Sequence, residues 1–414
     1  MSVSPEVQPL AGARASQPLI VIVHGLKGSH LRNKGCCCGL NLCCSRIYVN
    51  FWRLVSGALC GCGDQMKLPR RYDADGVQER DKIEADGAIA DVRVCGCMKI
   101  MTMYSPLINV GKLTGATVKV FDYDWRRSPA EANEQLEAFI EAELAKHPGT
   151  QGAQVIAHSN GGMVTWPLVN RRPDLFHSLL LVAPAIAGNA AIMPDLSLAT
   201  EPGNKVAFNK TMQTPSHWLS WPVVFYFFQT REQKMTGGRP PFAEADGTPV
   251  DVDLHRIEHW KEYQLGPYHP DSGVTMSDED EQFLAETLRK AKDYRALFCH
   301  DEHVDYPPIG VLTSTCDERT VTTWRRPTPG EPFVLDRSEA NADHPAAPLV
   351  TLGDGRIEAT RADPPAGVPV HCRNSSADAT HTSIATTMDM VVPLLTQLTA
   401  EADRRGKGSG SRTQ

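Results

Sequence analysis

The sequence predicts an α/β fold on a mostly parallel sheet, and three observations carry that prediction. Runs of apolar or β-branched residues recur at Leu19–Val23, Thr117–Phe121, Val155–Ala157 and Leu179–Ala183, as expected of strands covered on both faces. Segments of helical periodicity alternate with them. A serine between small residues, in Ala157-His158-Ser159-Asn160-Gly161-Gly162, stands where one such run gives way to a helix-compatible segment.

Each element follows from its residues. Residues 1–17 are polar and Pro/Ala/Gly-rich and read as a flexible leader. Leu19–Val23 is the first core strand, and it stops at the glycine-bracketed turn His24-Gly25-Leu26-Lys27-Gly28-Ser29. From about 30 to 111 the periodicity is lost, which reads as an insertion after the first core strand. Nine of the 12 cysteines fall there: Cys36, Cys37, Cys38, Cys43, Cys44, Cys60, Cys62, Cys95 and Cys97. Thr117–Phe121 resumes the core. Ser128-Pro129-Ala130-Glu131 reads as a capping box with proline at the first helical position. Leu136, Phe139, Ile140 and Leu144 then keep helical spacing until Pro148-Gly149. The first half of the core thus spans 18–187, and residues 188–306, where alternation fails again, form a cap insertion. Within the cap, Ser277 and Asp280 mark a helix start. Ile309–Leu312 and Leu349–Leu352 read as the last core strands of a second half, 307–400. A final helical stretch runs from Thr382 to Leu398, and residues 401–414 read as a disordered tail.

Composition narrows the function classes. A net charge of −7 offers no basic surface for nucleic acid. The sequence shows no export signal and no apolar run of membrane-spanning length, so the expected location is cytoplasmic, with membrane association through the cysteine-rich insertion as the variant. Adjacent cysteines are too close for unstrained disulfides. Three states stay open for the cluster: reduced thiols, a thiolate zinc site, or S-acylation. The adopted reading assigns no metal and no cofactor.

The serine is the centre of the chemistry. A-x-S-x-G is a nucleophile elbow with Ala157 in place of the usual first glycine. Such a turn presents Ser159 at its tip and aims the N–H of Asn160 at a developing oxyanion, with the N–H of Leu26 as second donor. The plain alternative is a serine that only caps a helix. Asp354, between two glycines after a late strand, is the candidate acid, and His381, 27 residues further on, the candidate base. The order Ser, Asp, His with the last two on late loops is that of an α/β-hydrolase. His371 competes for the base, and Asp336 and Asp363 for the acid.

The chain resembles the lecithin:cholesterol acyltransferase family. The resemblance rests on the strand-HGLKGS turn with its following insertion, FDYDWRRSP, AHSNGGM, TLGDGRI and the terminal HTSIA, from residue 18 to about 395. It implies an α/β-hydrolase core with cap insertions, a lipid ester as acyl donor, and an acyl-serine intermediate. The family nucleophile carries over to Ser159, its acid to Asp354 and its base to His381. Many members have Pro-Gly where this chain has His24-Gly25, and GDGTV where it has GDGRI.

The resulting expectation is a serine-dependent lipid acyl hydrolase or O-acyltransferase acting on a phospholipid or related ester. Its partners would be a lipid ester and, peripherally, a membrane surface. Trp218, Trp221 and Phe225, in an aromatic run within the cap, are expected to line the acyl groove. Two alternatives remain, a carboxylesterase of non-lipid substrates and a catalytically silent hydrolase-fold binding protein.

Overall fold

A computed structural model describes residues 18–34, 46–48, 65–94, 98–199, 213–235, 240–336 and 344–409. In chain order, β1 (Leu19–Val23) is followed by β2 (Ser29–Asn33), β3 (Arg46–Tyr48), β4 (Ile83–Ala88) and the hairpin β5 (Asp91–Val94) and β6 (Met98–Thr102). Then come β7 (Thr117–Phe121), α1 (Pro129–Lys146), β8 (Ala153–His158), α2 (Asn160–Arg171) and β9 (Phe176–Val182). The cap holds β10 (Phe242–Glu244) and α3 (Asp278–Arg295). The chain closes with β11 (Ile309–Ser314), β12 (Asp317–Arg326), β13 (Leu349–Gly353), β14 (Cys372–Ser376) and α4 (Met388–Ser409).

Six strands form the central sheet, in the order β14-β11-β9-β8-β1-β7, and every pairing in it is parallel. β1 shows why its run is continuous. Leu19, Val21 and Val23 face one core, whereas Ile20 and Ile22 face a second core on the other side of the sheet. A strand buried on both faces leaves no position for a polar residue.

Local chemistry sets the helix that flanks the elbow. The Ser128 hydroxyl accepts the Ala130 N–H at 3.1 Å, and Pro129 opens α1. The predicted capping box is only half formed, because Glu131 is taken by the Arg127 guanidinium at 2.8 Å. At the predicted start of α3, Ser277 and Asp280 form a complete capping box, each accepting the other's N–H at 3.2 Å. In FDYDWRR, Trp125 and Arg126 are wholly buried. Arg126 keeps its charge there by pairing with Asp81 at 2.9 Å and Asp124 at 2.7 Å.

Two expectations are corrected at the carboxyl-terminal end. Leu349–Leu352 is not a core strand. β13 pairs antiparallel with β12 in a separate three-stranded sheet, and Leu349, Val350 and Leu352 stand 38%, 42% and 47% exposed. The last core strand is β14, an edge strand whose Arg373, Asn374 and Ser375 are exposed. The tail is also shorter than expected: α4 continues to Ser409. Arg405 anchors this extension, pairing with Glu401 at 3.1 Å and donating to the Tyr306 carbonyl at 2.9 Å. The nine clustered cysteines lie outside the described residues.

Candidate active site

The site lies at the carboxyl edge of the central sheet, where open α/β sheets present their ligand crevices. Ser159 sits between β8 and α2 with φ 54° and ψ −120°. A non-glycine residue in that region costs on the order of 1–3 kcal/mol and must be held by its surroundings. The holding contacts are the Ser159 N–H to the Val182 carbonyl, 3.0 Å, and the Ser159 carbonyl accepting from Gly162 and Ala185 at 2.9 and 3.2 Å. The glycines of the elbow have a different neighbour from the one a bare turn implies. A Cβ on Gly161 would lie 2.3 Å from the Val23 carbonyl oxygen, so the close approach is to the end of β1 and not to Ala157. On the facing turn, a Cβ on Gly25 would meet the Cβ of Ser159 at 2.9 Å. The His24-Gly25-Leu26 turn is therefore packed directly against the serine. Asn160 opens α2, so its N–H has no intrahelical acceptor.

The structure brings Ser159, Asp354 and His381 together. His381 Nε2 is 2.8 Å from Ser159 Oγ, and its Nδ1 is 2.6 Å from Asp354 Oδ2. The other carboxylate oxygen, Oδ1, accepts the N–H groups of Arg356 at 2.8 Å and Ile357 at 2.6 Å. Burial works to raise the Asp354 pKa, but the charge and hydrogen bond of His381 and these two backbone donors outweigh it and hold the carboxyl below its usual range. This arrangement can pass the Ser159 proton to His381 while Asp354 balances the imidazolium charge.

The competing residues lie elsewhere. His371 immediately precedes β14, at the amino edge of the sheet, where its Nδ1 accepts the Ile309 N–H and its Nε2 meets Arg405 at 2.6 Å. Asp363 pairs with Arg373, and Asp336 is exposed. Ester turnover should accordingly fall at least a thousandfold in His381→Ala and stay within a few fold of wild type in His371→Ala. Parallel kinetics on one substrate check this, and a larger loss in His371→Ala would reverse the assignment.

Trp218, Trp221 and Phe225 are corrected from groove lining to core. All three are fully buried. Trp221 packs edge-on against Trp125 and donates to the Met66 carbonyl at 2.8 Å, and Phe225 packs edge-on against Trp260. Large rings in the cap contribute most by leaving water altogether.

A second layer of residues, not signalled by the motif, lies behind the elbow. The His158 ring lies behind the serine, fully buried, and its Nε2 donates to the His381 carbonyl at 3.0 Å. Its Nδ1 must then accept, and it takes the Tyr104 hydroxyl at 2.7 Å. Tyr104 in turn accepts the Gly25 N–H at 2.8 Å. One chain of hydrogen bonds thus joins the His24-Gly25-Leu26 turn, the elbow and the loop that carries His381. On the other side, the Tyr123 hydroxyl accepts from Asn160 at 3.1 Å and donates to the His24 carbonyl at 2.7 Å. His158 stood in the motif, but nothing in the sequence signalled Tyr104.

Burial, and then the nearby His381, push the His158 pKa from 6.5 down to about 3. Between those values the unfolded chain binds a proton that the folded chain refuses. The stabilising contribution is therefore full above pH 6.5 and is lost as pH falls. Unfolding free energy measured near pH 7 and near pH 4 should drop for this reason by on the order of 3 kcal/mol in wild type. His158→Gln should show a correspondingly shallower drop; equal slopes would mean that His158 is not held neutral.

Among the described residues, no group of three or more His, Cys, Asp or Glu side chains is gathered for a metal ion.

Comparison with known proteins agrees with this fold. Residues 84–176 match the model of the lecithin:cholesterol acyltransferase family. The Tle4–Tli4 complex contains a chain of the same fold: TM-score 0.54, 12% identity, covering 94% of this chain and 98% of that one. A looser likeness, TM-score 0.37, runs to the mature lipase BlEst2 of Bacillus licheniformis, at 12% identity over 94% of this chain and 96% of that one. In sequence, the uncharacterized protein YJR098C of Saccharomyces cerevisiae is 24% identical over 179 residues, 43% of this chain; the match spans only 26% of the yeast protein's length. Over residues 84–176, from β4 into β9, the chain is similar to the lecithin:cholesterol acyltransferase family, and its parallel sheet with the elbow between β8 and α2 has the α/β-hydrolase fold.

Proposed function

We propose that the chain is a serine-dependent lipid acyl hydrolase or O-acyltransferase working through an acyl-serine intermediate. The observation that carries this reading is the unbroken line Ser159 Oγ, His381, Asp354 at 2.8 and 2.6 Å. His381 Nε2 takes the Ser159 proton as Oγ attacks the ester carbonyl carbon. The carbonyl oxygen becomes the oxyanion, facing the N–H groups of Leu26 and Asn160. Collapse breaks the bond to the leaving alcohol, which departs with the proton from His381. Water or an acceptor alcohol then attacks the acyl-serine, giving its proton to His381, and Ser159 is regenerated. The match to the acyltransferase family over residues 84–176 supports a lipid as acyl donor.

Contact with a lipid surface is part of the same reading. No described helix is long and apolar enough to cross a membrane. On β6, however, Met98, Ile100 and Met101 are exposed, which suits shallow insertion better than solvation. A second reading, an esterase of smaller non-lipid substrates, is favoured by one observation: the cap aromatics are packed inside rather than left open.

A fluorophosphonate probe should label Ser159, and absence of labelling would sink both readings. Products formed from acyl-labelled phospholipid, with and without a sterol or alcohol acceptor, then decide between them. Free fatty acid means hydrolase, a new ester means transferase, and neither product despite labelling favours the smaller-substrate esterase.

A further inference from the structure

Away from the elbow, a cleft of about 270 Å³ opens between the segment after β9, the end of α3 and the 3-10 turn Ala359–Arg361. Ile186, Gln229, Phe298 and Thr360 help to line it, together with two arginines, Arg295 and Arg361. Arg295 is almost wholly buried. Its Nη2 donates to the Ile186 carbonyl at 2.7 Å and to Gln233 Oε1 at 3.2 Å, and its Nη1 is buried with no hydrogen-bond partner. Arg361 donates to the Ala187 carbonyl at 3.0 Å and to Gln229.

Neither guanidinium has a counter-ion among the described residues. Among the described residues, the one carboxylate lining the cleft, Asp363, is paired with Arg373. Glu358 acts on Arg361 only at a distance, through its charge, and accepts the Thr360 hydroxyl at 2.6 Å. Burial, with the charge of Arg361 adding to it, pushes the Arg295 pKa down to about 9, and burial lowers that of Arg361 as well. A buried cation stacked on Phe298 and a half-buried one beside it, mutually repelling and without a counter-ion, are a costly arrangement. Arg126 shows how this chain neutralises a buried arginine when nothing else is to bind there: with two aspartates.

We propose that this cleft is a binding site for a phosphate-type oxyanion, with Arg361 supplying charge and forked N–H donors, the buried Arg295 adding positive charge behind it, and Thr360 and Gln229 supplying neutral polar groups. Guanidinium forks match phosphate oxygens in number and geometry. The oxyanion has two sources, free phosphate and the phosphodiester of a lipid headgroup, and both present the same oxygens. Arg361 lies seven residues beyond Asp354, on the turn that follows the acid loop, so an occupant would brace that loop from outside the crevice. The inference stands whether or not the chain cleaves esters, because its test reads binding.

The test is thermal unfolding of the full chain titrated with inorganic phosphate or with glycerophosphocholine, against sodium chloride at matched ionic strength. A saturable rise in Tm of a few degrees is expected with at least one of them, and the ligand with the lower midpoint identifies the source. Arg361→Gln should weaken the apparent affinity at least tenfold, while Arg361→Lys, which keeps the charge, should lose less. Arg295→Lys is the companion variant; should it fail to fold, the Arg361 pair decides alone. No rise with either ligand, or the same rise in Arg361→Gln, would overturn the site and leave the arginines as scaffolding for loop carbonyls.

Discussion

Ser159→Ala is expected to lower kcat for ester cleavage by roughly a millionfold while the protein stays folded. The size follows from the geometry: the substitution removes the one atom placed 2.8 Å from His381 Nε2, and nothing else at the elbow has a proton to give. The fold should survive because the contacts that hold the elbow are made by the backbone of Ser159, not its hydroxyl. Activity remaining above water, roughly 10³–10⁴-fold, would come from the oxyanion donors and binding alone. Single-turnover kinetics with circular dichroism of the same sample measure both halves. Near-normal turnover in a folded variant would remove Ser159 from the mechanism.

Asp354→Asn is expected to cost roughly 10⁴-fold in kcat, and the reason is directional. Asp354 Oδ1 is already engaged by the N–H groups of Arg356 and Ile357, so an asparagine must keep its carbonyl oxygen there. Its NH₂ would then face His381 Nδ1, making that nitrogen the acceptor and leaving the proton on Nε2. A protonated Nε2 cannot take the Ser159 proton. Asp336→Asn and Asp363→Asn, outside this geometry, should retain activity within a few fold. A loss in either that exceeds the loss in Asp354→Asn would move the acid.

What could be read from the sequence had local causes. Leu19–Val23 shows itself because both faces are buried, and Ser159, Asp354 and His381 because sharp turns and short loops demand particular small or polar residues beside them. β14 stayed hidden for the opposite reason: an edge strand of Arg373, Asn374 and Ser375 carries no apolar signature. β13 was misplaced because a short apolar run does not reveal which sheet it joins, and exposed leucines look like buried ones in a string of letters. Tyr104 was invisible since its partner His158 lies 54 residues away, and only the folding of the intervening segment brings them together. The two arginines of the cleft were equally silent, for a guanidinium without a counter-ion is defined by what surrounds it in space.

The 222 residues that separate Ser159 from His381 also have a meaning in time. A ribosome adds about 5–20 residues per second, so roughly 10–40 s pass between synthesis of the serine and synthesis of its base. Throughout that interval the elbow has no group in place to accept its proton. On the proposed mechanism the growing chain is inert toward esters until the segment that carries His381 has been made and has docked beside Ser159.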